Sequence, residues 1–180
     1  MSAKLSHGWQ NAPQLNKLAA SQQGGSRGAQ LWGVQCNGTM NTIYQITPGG
    51  GWSQWLGDDW AGPGFPTQTY ELAAAQQSNG CVQFWGLDFN LELWTTSQSS
   101  PGGDWVAWSG PNWNNAPKGM KRLAACRQTP SQGSLLWGIC EDYSLIGCNQ
   151  PTPGGKWSAW QSWLATPEKS QFIENAAAEQ

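Results

Sequence analysis

Apolar and polar residues alternate over short segments of this chain, and no stretch shows a convincing helical period, so the pattern predicts strands. Four segment types follow one another: a strand rich in alanine, an apolar Trp-Gly strand, a mixed strand and a Trp-x-x-Trp strand. The copies of the first three types span 17–23, 71–77 and 122–128, then 30–34, 83–87 and 135–139, then 41–45, 93–98 and 145–150. Asn37-Gly38 between the second and third types is the strongest short hairpin signal. Each unit is therefore predicted to be a four-stranded antiparallel meander.

A Pro-Gly-Gly turn introduces the Trp-x-x-Trp segment in all three copies and marks the period. The first tryptophans of these copies are Trp52, Trp105 and Trp157, so successive copies lie 53 and 52 residues apart. A fixed period near fifty residues is typical of a repeat architecture. We expect one repeat domain over residues 1–180, with units of approximately 14–63, 67–116 and 118–166. Residues 172–180 repeat the first strand a fourth time.

Four antiparallel strands in about fifty residues describe a blade of a β-propeller, an all-β fold. The alanine strands suit the crowded axis, where only small side chains fit. Propellers have roughly four to eight blades, whereas this chain encodes three, and three alone would leave two apolar faces bare. We therefore expect a homodimer, in which a two-fold rotation completes six blades and the extra C-terminal strand latches the ring. A β-trefoil, which also has three four-stranded units, is the alternative.

Composition narrows the possible functions. Charged residues make up 11%, the formal net charge is −2, and no basic run occurs, so a nucleic-acid partner is not expected. No apolar run approaches the roughly 20 residues needed to cross a bilayer, so membrane insertion is not expected either. The N-terminus has no apolar leader, which predicts a cytoplasmic location.

The five cysteines are predicted to be reduced thiols. If Asp142-Tyr143 is the hairpin turn, Cys140 lies opposite Leu145 and Cys148 opposite Trp137, too far out of register for a disulfide. Two closely spaced Cys or His pairs, which a structural zinc site needs, are absent from the sequence. We expect neither a metal nor a cofactor.

Candidate catalytic groups are few. His7 is the only histidine and lies outside the repeats. The acidic pairs Asp58-Asp59 and Glu141-Asp142 each occur in one unit, in predicted turns, where solvated carboxylates are the ordinary interpretation. We expect no enzymatic activity.

The unit "Leu-Trp-Gly, turn, Tyr/Trp, Pro-Gly-Gly-x-Trp-Ser-x-Trp" resembles the blades of bacterial β-propeller lectins of the tectonin-like, fucose-binding type. The resemblance covers nearly the whole chain. It departs from the pattern at Val106, which replaces the serine, and in having three blades where members of that type carry the full set in one chain. The resemblance implies a multivalent lectin with shallow sugar pockets between blades. It does not identify the sugar, and fucosylated glycans are one candidate ligand.

Sugar binding requires an aromatic face for the C–H side of a pyranose and fixed polar groups for its hydroxyls. The tryptophans that follow each unit are the preferred platforms, because they lie beside Gly, Pro and Asn. Packing between blades is the alternative for them. The candidate platforms are Trp9, Trp60, Trp113 and Trp163, joined by the second tryptophans Trp55, Trp108 and Trp160. Gln23, Gln77 and Gln128 end the first strands and are candidates to present amides, or equally to cap edge carbonyls.

The remaining recurrent tryptophans are predicted to be structural: Trp32, Trp85 and Trp137 in the core, and Trp52, Trp105 and Trp157 packed between blades. A non-catalytic propeller scaffold for a protein partner is the alternative function. Recurrence of the loop tryptophans in every unit favours the lectin, because a protein interface would be expected to diverge on one side.

Overall fold

The computed structural model describes residues 12–57, 60, 66 and 68–162. These residues form three antiparallel sheets. The first sheet contains β1 (Lys17–Gln22), β2 (Ala29–Val34) and β3 (Met40–Tyr44). The second contains β4 (Thr69–Gln76), β5 (Val82–Asp88) and β6 (Leu93–Ser97). The third contains β7 (Met120–Arg127), β8 (Ser134–Cys140), β9 (Leu145–Asn149) and β10 (Gln161–Ser162).

Each sheet is a meander, since spatial order follows chain order, and the first three strand types are confirmed. The fourth copy of the first strand, residues 172–180, lies outside the described residues. Within the described part of the chain, no helix has the length and apolar character needed to cross a membrane.

The sheets stack face to face, with β4 lying between β1 and β7 along one edge of the stack. We call β1, β4 and β7 the inner strands. The end of the stack at which the inner strands begin is the upper end, and the end at which they finish is the lower end. Leu72 and Ala74 of β4 belong to the apolar cluster shared with the first sheet, whereas Ala73 and Ala75 belong to the one shared with the third. Because both faces of β4 are buried, small residues are needed there, as the alanine pattern predicted.

The fourth segment is less regular than predicted. In the first sheet, two isolated bridges, Gln45–Trp52 and Thr42–Leu56, and the Ser53 side chain join it to the neighbouring strand. The second sheet repeats the bridges with Gln98–Trp105 and Thr95–Ser109. Only the third sheet has a short fourth strand, β10. A regular fourth strand is therefore the wrong prediction for the first two sheets.

The predicted register of the β8–β9 hairpin was wrong by one residue. Cys148 pairs with Leu136, and Leu145 pairs with Ile139. The reason is a three-residue loop in which Tyr143 has a left-handed φ of 66°. All five cysteines are free thiols, and burial raises the pKa of Cys148 to about 12.

Candidate functional site

The two junctions between sheets contain the same arrangement of three tryptophans. The first aromatic cluster consists of Trp32, Trp60 and Trp105, with ring centroids 6.3 Å (Trp32–Trp60), 5.8 Å (Trp32–Trp105) and 5.2 Å (Trp60–Trp105) apart. The second aromatic cluster consists of Trp85, Trp113 and Trp157, with corresponding separations of 6.3, 5.5 and 5.0 Å. Each cluster takes two rings from one unit and one ring from the next. The repeat therefore builds the same aromatic cluster twice.

Each cluster has a buried base and two partly open rings. Trp32 and Trp85 are completely buried, which confirms them as core residues. The other four rings, Trp60, Trp105, Trp113 and Trp157, are half-buried. Part of each of these four side chains is therefore accessible, while the rest is held by packing.

The clusters also contain indole N–H donors without protein acceptors. The Nε1 atoms of Trp32, Trp60 and Trp85 are buried and have no hydrogen-bond partner among the described residues. Leaving a buried donor unpaired costs about 1–3 kcal/mol, so such groups in native proteins call for a partner. These Nε1 atoms have almost no accessible surface, so a ligand hydroxyl could reach them only if the cluster opened.

The loop tryptophans Trp60 and Trp113 thus lie where two sheets meet, with their rings against core tryptophans. The packing alternative stated for them accounts for these ring contacts, and their role as sugar platforms remains a prediction. Trp9 and Trp163 lie outside the described residues.

The second tryptophans of the repeat occupy three different environments. Trp108 is buried, with its ring perpendicular to Phe84 at 5.8 Å. The Trp160 indole donates its Nε1 hydrogen to the Asn114 carbonyl oxygen at 3.1 Å. Trp55 is half-buried, and its buried Nε1 has no partner among the described residues. A shared sugar-binding role for the three is not evident from these contacts.

The glutamines are engaged with other protein groups at the lower end. Gln77 is buried, and its Oε1 accepts a hydrogen bond from the Gly154 backbone N–H in the third sheet's Pro-Gly-Gly turn, at 2.9 Å. Gln23 is equally buried, and its Oε1 accepts from Gln98 Nε2 of the second sheet at 3.2 Å. Gln128 Nε2 donates to the carbonyl oxygens of two residues in its own sheet. Gln23 and Gln77 therefore join neighbouring sheets.

Sequence reasoning missed Asn114, which follows Trp113 and links it to the segment that carries Trp157. Its side-chain Nδ2 donates to the Ser158 backbone carbonyl oxygen at 3.0 Å, and its backbone carbonyl oxygen accepts a hydrogen bond from Trp160 Nε1. Its φ of 55° is left-handed, a conformation that asparagine tolerates better than most residues. The only sequence feature that could have pointed to this role is the Asn-Asn pair directly after Trp113, since asparagine is common at left-handed backbone positions.

Charged groups gather at the upper end. Lys17, Glu71 and Arg122 hold the same repeat position in β1, β4 and β7. The Oε2 atom of Glu71 lies 3.5 Å from Lys17 Nζ and 3.6 Å from Arg122 Nη1. Burial raises the pKa of Glu71, while the two cations oppose that shift. Among the described residues, no group of three or more His, Cys, Asp or Glu side chains could hold a metal ion.

No protein-family model matches the chain, and no curated protein matches it. Solved structures do. AofleA from Arthrobotrys oligospora has 12% identity and a TM-score of 0.53, covering 81% of this chain and 41% of AofleA. A mutant of AofleA with three arginines replaced by alanine has 15% identity and a TM-score of 0.56, covering 91% of this chain and 49% of that one.

A fucose lectin from Kordia zhangzhouensis, solved in complex with methyl-fucoside, has 10% identity and a TM-score of 0.50. The match covers 81% of this chain and 96% of that lectin. The chain therefore spans less than half of AofleA but nearly the whole length of the bacterial lectin. The likeness is one of fold, and together with the three sheets it is consistent with a β-propeller-like architecture. The tectonin-like assignment stays a prediction.

Proposed function

We propose that this protein is a carbohydrate-binding lectin without catalytic activity, and that sugars bind in the grooves between neighbouring sheets. The observation that carries the proposal is the repetition of one aromatic cluster at both junctions. A core needs only apolar packing there. The side chains of Trp60 and Trp113 are instead partly accessible and lie beside indole N–H groups that have no partner among the described residues.

The chemistry of these grooves suits a sugar. The C–H face of a pyranose stacks on an indole ring, removing apolar area worth about 25 cal/mol per Å². Its hydroxyls would accept hydrogen bonds from the unpaired indole N–H groups where sugar binding opens the cluster to them. Fucosylated glycans are the first candidates, because the similar Kordia lectin was solved with methyl-fucoside.

The proposed lectin is multivalent. Two equivalent grooves in one chain can bind two sugars on the same glycan-coated surface at once. The apparent affinity for such a surface then exceeds the affinity of either groove for a single sugar. In the proposed homodimer, two three-unit chains form a six-bladed ring with six junctions, three times the two junctions of a single chain.

Titration with methyl-fucoside tests the proposal, after a glycan array has established whether fucosides are bound. The variants are Trp60→Phe and Trp113→Phe, which keep an aromatic ring in each cluster but shorten its face and remove the indole donor. Isothermal titration should show the loss of one site for each single variant and of both for the double variant. Trp94→Phe is the matched control, because Trp94 packs on the same apolar core as the first aromatic cluster without being one of its three rings, and it donates to Asp88 Oδ2.

Retention of both sites in the double variant would overturn the groove assignment. An array without any bound glycan, together with capture of a protein ligand that the double variant loses, would favour the scaffold function instead.

A further inference from the structure

We propose that the outer faces of the first and third sheets dock on each other between two copies of this chain, head to tail. This inference rests on the homodimer of the proposed function and specifies which surfaces form it. The first face consists of Leu18, Ala20 and Gln22, the side of β1 turned away from the second sheet. The third face consists of Ala124 and Cys126 of β7 with Trp137 of β8, turned away from the second sheet.

The first face is mostly apolar, and the described residues leave it exposed. Leu18 is 58% exposed, whereas Leu72, at the same repeat position, is 4% exposed because the first sheet covers it. Ala20 is likewise exposed, whereas its counterpart Ala74 is buried. The first face therefore carries the same side chains as the buried face of the second sheet, but no neighbouring sheet packs on it in the described part of the chain.

The third face shows the same contrast. Cys126 is exposed, whereas Ala75 at the same position is 4% exposed. Trp137 is only half-buried, whereas Trp85 and Trp32 at the same position are completely buried. In the first and second sheets, this tryptophan is covered by the next sheet along the chain. The described residues contain no further sheet after the third to cover Trp137.

The repeat itself identifies the occupant. The face of the second sheet that covers the first sheet carries Leu72 and Ala74, and the first face carries Leu18 and Ala20 at those positions. A second copy therefore brings to the third face the kind of surface that each internal junction uses. The partner subunit's Trp52, equivalent to Trp105 and Trp157, would then meet Trp137 and form a third aromatic cluster.

Two-fold symmetry makes the match reciprocal. When the third face of one copy meets the first face of its partner, the remaining two faces are brought together by the same rotation. No apolar face stays open, and the assembly stops at two chains. A single head-to-tail contact without closure would instead continue into a filament.

Chemical cross-linking can distinguish this geometry from other dimers. Neighbouring inner strands approach within 8 Å between Cα atoms at the internal junctions. Position 20 of one copy should therefore lie beside Cys126 of its partner. The test introduces Ala20→Cys in a Cys36→Ser background, which removes the other exposed thiol, and applies a short bismaleimide.

We expect a covalent dimer of about twice the 19.5 kDa chain mass, with a peptide link between positions 20 and 126. Cys126→Ser in the same background should abolish that link. Ser99→Cys in place of Ala20→Cys is the matched control, because Ser99 is exposed in the second sheet outside both faces. A monomer by light scattering, or a dimer joined only through positions 20 and 20, would overturn the proposal.

A further variant separates docking from sugar binding. Leu18→Glu should give a folded monomer that still binds methyl-fucoside in its two internal grooves, with circular dichroism checking the fold. If the 20–126 link forms while no sugar binds, docking stands and the lectin proposal fails. If sugar binds but the 20–126 link does not form, the lectin proposal stands and the docking proposal fails.

Discussion

Single residues at the lower end determine how closely the sheets approach. Gly24 follows β1, and a Cβ atom built on it would collide with the Gly80 carbonyl oxygen and with Pro101, both in the second sheet. This glycine is required by close approach between units, whereas Gly51, in the Pro-Gly-Gly turn region, has open space around it.

Gly24→Ala should therefore destabilise the protein by about 1–3 kcal/mol, because the added methyl group forces the two sheets apart. Gly51→Ala is the matched control and should be neutral or stabilise by up to about 1 kcal/mol, since alanine restricts the unfolded chain. Urea unfolding of both variants compares the midpoints. Equal midpoints would show that the sheets separate without cost at Gly24.

At the scale of elements, a serine hydroxyl takes part in the hydrogen bonding between the third and fourth segments. Ser158 Oγ accepts a hydrogen bond from the Asn149 backbone N–H at 3.0 Å, and Ser53 Oγ does the same for Tyr44 at 3.2 Å. The second sheet has Val106 at this position, and there Thr96 Oγ1 donates to the Val106 carbonyl oxygen at 2.6 Å. The serine in the repeat thus has a structural role, and the departure at Val106 comes with a different bond.

Ser158→Ala should lower the free energy of unfolding by about 1 kcal/mol, because the Asn149 N–H loses its acceptor in a partly buried position. Sugar stoichiometry should not change. Val106→Ala, at the corresponding position of the second sheet, controls for side-chain truncation there and should have a smaller effect. Thermal melting beside titration would measure both quantities, and a loss of sugar binding in folded Ser158→Ala would contradict the structural role.

The strands were predictable because their signals are local, whereas the junctions were not. Alanine runs, Trp-Gly pairs and Asn-Gly fixed the type and order of three strands per unit. The hydroxyl bond of Ser53 and the three-residue loop at Tyr143 depend on side-chain contacts and backbone angles that periodicity does not contain. The meeting of Trp60 with Trp105 joins two units, so the sequence could show only that both residues recur.

At the scale of the molecule, stability should depend on protein concentration if two copies dock as proposed. Anything that binds the folded chain and not the unfolded chain raises its melting temperature by mass action, and here the binding partner is a second copy. The melting temperature measured by calorimetry should therefore rise when the protein concentration is increased a hundredfold. Leu18→Glu should melt at a lower temperature that does not vary, whereas a parent protein with an equally constant melting temperature would exclude a reversible dimer.

The stack of three sheets has two internal junctions, which leaves fewer junctions than sheets. In a nearest-neighbour description of repeat proteins, stability is the sum of what each unit contributes alone and what each junction adds. A ring of six units has six junctions, so each chain would gain one junction without gaining a residue. The free energy that a chain draws from its junctions would then increase by about half. Closure would thus act as a cooperative step that couples the unfolding of one chain to that of its partner.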